Sequence, residues 1–221
     1  MRHFTSSRAA AASLLAWLCT STCQAGRPIT VDDANVNEPG ASHVEAWGAR
    51  DPGGIRTWTI APAHGVHEAL ELGASLTRDT GNRLLTTAIQ AKLLFSASRP
   101  DGCNTGAVFG LAHTRASGAD SGGNTPYLNG LLSCNRDALA FHANLGANRP
   151  TGGPVLPTWG LALERALGAV TLHAESFGQR HAKPVFQVGA RTELAKDVQL
   201  DATLGRHNRK AVYSAGLKFG F

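Results

Sequence analysis

The sequence predicts an all-β chain: a transmembrane antiparallel β-barrel of about twelve strands. Three observations predict it. The final residues alternate, with Ala211, Tyr213, Ala215, Leu217, Phe219 and Phe221 on one side and Val212, Ser214, Gly216, Lys218 and Gly220 on the other. Strand side chains alternate between faces, so this segment has one apolar face and one small or polar face. The opening residues read as an export signal: Arg2 and Arg8 precede an apolar run from Ala9 to Leu18, and Cys23-Gln24-Ala25 offers small residues around a cut after Ala25. That run is too short to cross a bilayer as a helix. Between the two ends, strand-like runs alternate with turn clusters throughout.

Taken in order, residues 1–25 form the signal peptide. Cys19 and Cys23 precede the cut, and the residues before them lack a lipoprotein pattern, so no lipid anchor is expected. Residues 26–41 are polar and contain two prolines, which suggests an extended periplasmic lead-in before the barrel of 42–221. The strand-like runs are 42–49, 54–61, 67–78, 83–97, 104–115, 126–134, 137–147, 157–166, 168–178, 184–193, 197–206 and 211–221. In 197–206, Val198, Leu200, Ala202 and Leu204 oppose Gln199, Asp201, Thr203 and Gly205; in 137–147, Leu139, Phe141, Ala143 and Leu145 oppose Ala140, His142 and Asn144. Runs 54–61 and 104–115 alternate poorly. Ala, Leu and Glu in 157–178 also suit a helix, but Gly160, Gly168 and Val170-Thr171 favour strand.

If the last strand ends in the periplasm, the long connections 115–126 and 147–157 fall outside and tight turns such as 134–137 and 166–168 fall inside. Outer-membrane barrels show this asymmetry. A strand that stops on Phe221 resembles the last strand of such a barrel. Tyr213, Leu217, Phe219 and Phe221 are therefore expected to form the signal read by the barrel assembly machinery, with outer-membrane lipid around the finished barrel.

Composition narrows the function. The net charge is +5 and the pI about 9.3, but Lys and Arg are scattered singly without an aromatic-laced basic stripe, so no nucleic-acid partner is expected. A mean hydropathy of −0.12 excludes a helical membrane protein and leaves a barrel open, because alternation hides its apolar half. Cys103 and Cys134 remain after the cut. An exported chain folds where disulfides persist, and these two lie at neighbouring ends of consecutive strands, so they are expected to pair.

Closure removes the unpaired strand edges that lipid forbids. Twelve strands enclose more room than the side chains of an eight-stranded barrel need, so a narrow lumen follows. By alternation its wall carries Glu71, Lys92, His142, Glu164, His173, Glu175, Arg191, Asp201 and Lys218, together with Gln90 and Gln187. These charges either pair and hydrate the wall or line a solute path. No catalytic set stands out. His173, Glu175 and Ser176 are the one local cluster with nucleophile, base and carboxylate, but a strand puts Ser176 on the opposite face from the other two. His64 and His67 lie at a predicted turn without Asp or Cys beside them, so no metal site is expected, nor a cofactor.

Pro62-Ala63-His64-Gly65-Val66, followed by Leu70-Glu71-Leu72-Gly73, resembles a signature of a family of outer-membrane transporters named for phenol meta-pathway degradation. Asp32-Asp33, Pro39-Gly40 and Val44-Glu45 resemble that family's acidic start, Pro-Gly step and first short strand. The resemblance covers most of the exported chain in layout. It implies an outer-membrane barrel that passes small molecules, hydrophobic ones included, and it brings no catalytic residues. This chain is short for that family and its outer loops are compact. The reading is passage of a small solute, with a plugged structural or interaction barrel and a soluble exported all-β binding protein as alternatives.

Overall fold

The computed structural model describes residues 29–50, 54–96, 99, 101–117 and 122–221; the expected signal peptide and its cut lie outside them. Twelve strands follow in chain order: β1 (Ser42–Arg50), β2 (Arg56–His67), β3 (Leu70–Asp79), β4 (Leu84–Leu94), β5 (Gly102–Ala116), β6 (Gly122–Arg136), β7 (Leu139–Asn148), β8 (Leu156–Leu167), β9 (Val170–Gln179), β10 (Val185–Ala195), β11 (Val198–His207) and β12 (Lys210–Gly220). Each pairs antiparallel with the next, and β12 pairs with β1 to close the barrel. The seam runs from His43↔Gly220 to Arg50↔Tyr213, and Ser42 and Phe221 exchange two backbone hydrogen bonds of 2.9 Å at its end. Both Ser42 and Phe221 therefore lie at one rim, called here the seam end; the opposite rim is the loop end.

Alternation sorts the strands as a membrane barrel requires. Ile89, Phe109, Leu128, Leu145, Leu161, Leu163, Val188 and Leu204 are exposed on the outside, with Leu145 74% exposed. The opposite parity in β7, β9 and β11 carries His142, His173, Glu175 and Asp201, all buried. A soluble barrel would have this arrangement reversed.

Two runs end elsewhere than the sequence predicts. The turn expected at 61–67 is strand: β2 continues through Pro62 to His67, and the connection is 68–69. Pro62 has no N–H to give to a ladder. The β2–β3 pairing is interrupted at 61–62, between Ile60↔Leu76 and Ala63↔Gly73, while on the other side Pro62 stays in register with Val44. The long outer connection expected at 115–126 is mostly strand as well, because β5 and β6 each run 15 residues and pair as far as Arg115↔Gly122. Backbone pairing does not need apolar side chains, and His113 with Asn124 adds a 2.8 Å hydrogen bond across the ladder. Most seam-end connections are tight (68–69, 137–138, 168–169 and 196–197), although 95–101 is not; 208–209 is the tight one at the loop end. There Asn208 and Arg209 both have positive φ, the geometry of a two-residue hairpin turn.

The larger difference concerns the lead-in. Residues 29–41 do not extend away from the barrel. They turn back at Gly40, whose N–H meets Gly65 O at 2.8 Å, and run up inside the lumen. The interior apolar core forms around them: Ile29 and Val31 pack on Ala162 and Phe177, and Ala34 packs on Val108, Leu131 and Tyr127.

Candidate solute path and the segment inside it

The inner segment 29–37 crosses the lumen from β9 to β3, held largely by its own backbone. Glu175 of β9 accepts the N–H groups of Thr30 (2.8 Å) and Val31 (2.8 Å). Asn144 of β7 accepts from Asp32 N–H at 2.8 Å and returns a 2.8 Å bond to Asp32 O. Ser133 Oγ of β6 accepts from Ala34 N–H at 2.8 Å, and Glu71 of β3 accepts from Asn37 N–H at 2.9 Å. Lys92 of β4 reaches the segment's acids, 2.8 Å from Asp32 and 3.5 Å from Asp33. A chain without secondary structure of its own must find partners for its backbone when buried. Here the wall side chains supply them.

Two glycines admit the segment. A Cβ at Gly160 would sit 2.8 Å from Val31 Cγ2, and one at Gly65 would collide with the carbonyl oxygen of Glu38. Neither position has positive φ, so the requirement is for space.

The structure places all nine expected lumen residues, Glu71, Lys92, His142, Glu164, His173, Glu175, Arg191, Asp201 and Lys218, in the barrel interior, each at most 7% exposed. It brings several of them together. Arg191 and Glu164 form a two-pronged ion pair across β10 and β8, with one contact of 2.7 Å. Gln187 donates to Glu175, and Gln199 to Asp201. Lys218 lies 4.0 Å from Glu45. Gln90 accepts from Tyr127 Oη at 3.0 Å. The sequence reading missed Asp32, Asp33 and Asn37, because it placed their segment outside the barrel. It also passed over Glu45, Ser133 and Asn144, whose strand parity was already legible as inward.

Ser133, His142 and Glu164 have the composition of a catalytic triad: Ser133 Oγ and His142 Nδ1 share a 2.7 Å hydrogen bond, and His142 Nε2 lies 4.0 Å from Glu164. The arrangement departs from a catalytic triad at its third member. The 4.0 Å gap is beyond hydrogen-bond reach, Glu164 is engaged by Arg191, and the wholly buried hydroxyl already accepts from Ala34 N–H. Ser176 points to the other face of β9 from His173 and Glu175 and donates to Val185 O. Among the described residues no group of three or more His, Cys, Asp or Glu is placed to hold a metal.

Space remains on both sides of the segment. A cavity of about 190 Å³ separates it from β1–β4, lined by Asp32, Asp33, Glu45, Glu71, Lys92 and Lys218 with Thr59, Thr77 and Gln90 among the neutral groups. A wider recess of about 460 Å³ opens above it toward the loop end, with Asn129, Asn144, Thr158, Phe177, Gln179 and His207 in its wall. The expected bridge is present: Cys103 and Cys134 are direct partners in the β5–β6 ladder and are joined by a disulfide.

A closed twelve-strand barrel, apolar outside and charged within, has the fold of the outer-membrane, porin-like β-barrels. The chain belongs to the family described as "Uncharacterised conserved protein UCP029691", whose model matches residues 13–214. No curated protein matches it in sequence. Among solved structures it is similar to the KdgM porin, at 12% identity and a TM-score of 0.67, over 81% of this chain and 99% of that one. It is similar to the COG4313 outer membrane channel from Pseudomonas putida F1, at 10% identity and a TM-score of 0.59, over 90% of this chain and 100% of that one. It is also similar to Omp33 of Acinetobacter baumannii, at 8% identity and a TM-score of 0.54, over 82% and 98%. At these identities the likeness is one of fold.

Proposed function

We propose that this protein is a channel of the Gram-negative outer membrane that passes a small polar solute, with residues 29–37 as an internal constriction. Export by residues 1–25, assembly through Tyr213, Leu217, Phe219 and Phe221, and a seam end facing the periplasm complete this reading. The observation that carries it is the cavity of about 190 Å³ left between the inner segment and β1–β4. That space is walled by four carboxylates, two ammonium groups and neutral hydroxyls and amides, which suit water and polar solutes.

The same lining argues against the hydrophobic solutes that the phenol meta-pathway resemblance implies. The two apolar clusters of the interior are packed on the inner segment, while the recess toward the loop end keeps Val31, Phe177 and Val185 in its wall. A polar cargo also has a parallel in fold, since the KdgM porin has been solved with oligogalacturonate.

Segment 29–37 equally favours a second reading, a plugged barrel with a structural or interaction role. Planar-bilayer conductance and liposome swelling with graded solutes separate the two. A channel conducts and admits solutes up to a size limit, and removing residues 29–37 raises both conductance and limit. A wild-type barrel that neither conducts nor swells liposomes is the plugged one.

A further inference from the structure

The outward residues of the loop end are unlike the rest of the lipid-facing surface. Along β1, β2, β3, β5 and β11 that surface ends in Arg50, Arg56, Arg78, Arg115 and Arg206, each at an outward parity position. Arg50, Arg56, Arg78 and Arg206 are exposed. Three of the five lie on the adjacent strands β1, β2 and β3. Arg50 and Arg56 are direct partners across the β1–β2 ladder, and Arg78 is the direct partner of Trp58, two residues from Arg56 on the same face. Like charges directly opposite one another in a sheet are destabilising unless an anion joins them. Among the described residues, the acid at this rim is Asp79. It has inward parity and is occupied by Gly81 and Asn82 through bonds of 2.9 and 2.8 Å.

Aromatic rings stand in this row, Trp58 as the direct partner of Arg78 and Tyr213 as that of Arg50. Trp58 is 61% exposed and its ring lies over Gly48, where a Cβ would meet it at 2.8 Å. Tyr213 accepts a 3.0 Å hydrogen bond from Arg50, whose guanidinium stands 5.9 Å from the ring centre. Next along the same outward columns come Ile60 and Leu76, apolar and exposed. An apolar band that gives way to a rim of aromatic and cationic side chains marks the passage from hydrocarbon to head group. The guanidinium fork matches phosphate oxygens in pairs.

We propose that Arg50, Arg56 and Arg78 form a binding site for the phosphate of a phosphorylated lipid head group in the leaflet at the loop end. This rests on the outer-membrane reading above. The lipid's chains lie along the apolar columns below Trp58, and its phosphate sits between the three guanidinium groups.

The test uses the refolded full barrel in zwitterionic vesicles containing a small fraction of diphosphoryl lipid A. Lipid A retained per barrel after detergent extraction is measured by mass spectrometry. The comparisons are fully dephosphorylated lipid A and inorganic phosphate alone. The variants are R50Q/R56Q/R78Q, the single R56Q should the triple fail to fold, and the control R136Q/R165Q, which removes outward arginines of the seam end. The expected result is retention by the wild type and the control, with an approximately tenfold or greater loss in the triple variant and a measurable loss in R56Q. Equal retention of dephosphorylated lipid, equal affinity for inorganic phosphate, or undiminished retention by the variants overturns the proposal. A wild-type barrel that does not float with zwitterionic vesicles overturns the membrane reading itself. One that floats but retains no lipid A overturns this site alone.

Discussion

Both carboxylate oxygens of Glu175 face the backbone N–H of Thr30, at 2.8 and 3.0 Å, with Glu175 itself 1% exposed. One wall side chain thereby fixes the far end of the inner segment, some 145 residues away in sequence. The segment has no regular structure, so its position in the lumen depends on such anchors at Glu175, Asn144, Ser133 and Glu71.

Replacing Glu175 with Gln should loosen that end. Hydrogen bonds to a charged acceptor contribute about 1.5–3 kcal/mol, so the balance between seated and released segment should shift about tenfold or more. The expected outcome is a higher mean conductance in planar bilayers and faster proteolysis near residue 30, with barrel folding retained as judged by heat-modifiable migration. Unchanged conductance and proteolysis together would show that the other anchors suffice.

Gly65→Ala acts at the opposite end of the segment. The added methyl meets Glu38 O below contact distance, and the backbone there is itself hydrogen-bonded to Gly40 and Ala41. Overpacking of this kind costs about 1–3 kcal/mol. Since the wall is the more rigid partner, the segment should yield. The variant should match Glu175→Gln in conductance while its urea unfolding midpoint moves little. A large fall in midpoint with unchanged conductance would place the strain in the wall instead.

The ion pair of Arg191 and Glu164 is buried on both sides. Removing one partner from a buried pair leaves an uncompensated charge and costs about 3–5 kcal/mol. Arg191→Met should therefore lower the urea midpoint of the refolded barrel markedly, and adding Glu164→Leu should recover much of the loss. No recovery in the double variant would mean that the pair's role is positional, through His142 and the neighbours of Arg191.

The barrel was legible in the sequence because a two-residue period survives in strands such as β7 and β11, where Leu139, Phe141, Leu145, Leu200 and Leu204 face out. The same period put the seven charged wall residues and the two histidines inside. It could not place residues 29–37, because alternation describes a strand's two faces and says nothing of a segment whose partners are side chains on β3, β4, β6, β7 and β9. The acids Asp32 and Asp33 read as solvated until Lys92 is seen beside them. Pro62 misled for a local reason: it reads as a turn residue, yet the β2–β3 ladder simply omits its bond.

The disulfide ties β5 to β6 on the outer face at the seam end and closes a loop of sequence separation 31. Chain entropy gives such a loop about 3–4 kcal/mol. Cys103→Ser/Cys134→Ser should unfold at lower urea concentration than the oxidised protein, and the denatured, unreduced wild type should show no reactive thiol. Two reactive thiols per chain would mean that the bridge does not form in solution.

Phe221 follows the last residue of β12, and its backbone closes the barrel through the two hydrogen bonds with Ser42. Its side chain is 77% exposed and continues the outward column of Tyr213, Leu217 and Phe219. Deleting Phe221 removes the seam's outermost backbone pair, and each such bond contributes about 0.5–1.5 kcal/mol net. That loss is too small to unfold a barrel of twelve paired strands. A purified deletion variant refolded in detergent should therefore regain heat-modifiable migration with a slightly lowered unfolding midpoint. In cells the same variant should reach the membrane fraction poorly if the terminal aromatic is read during assembly. Poor yield in cells with normal refolding in detergent would assign Phe221 to assembly, and failure in both would assign it to the seam. Normal levels in both would leave the aromatic without a part in either.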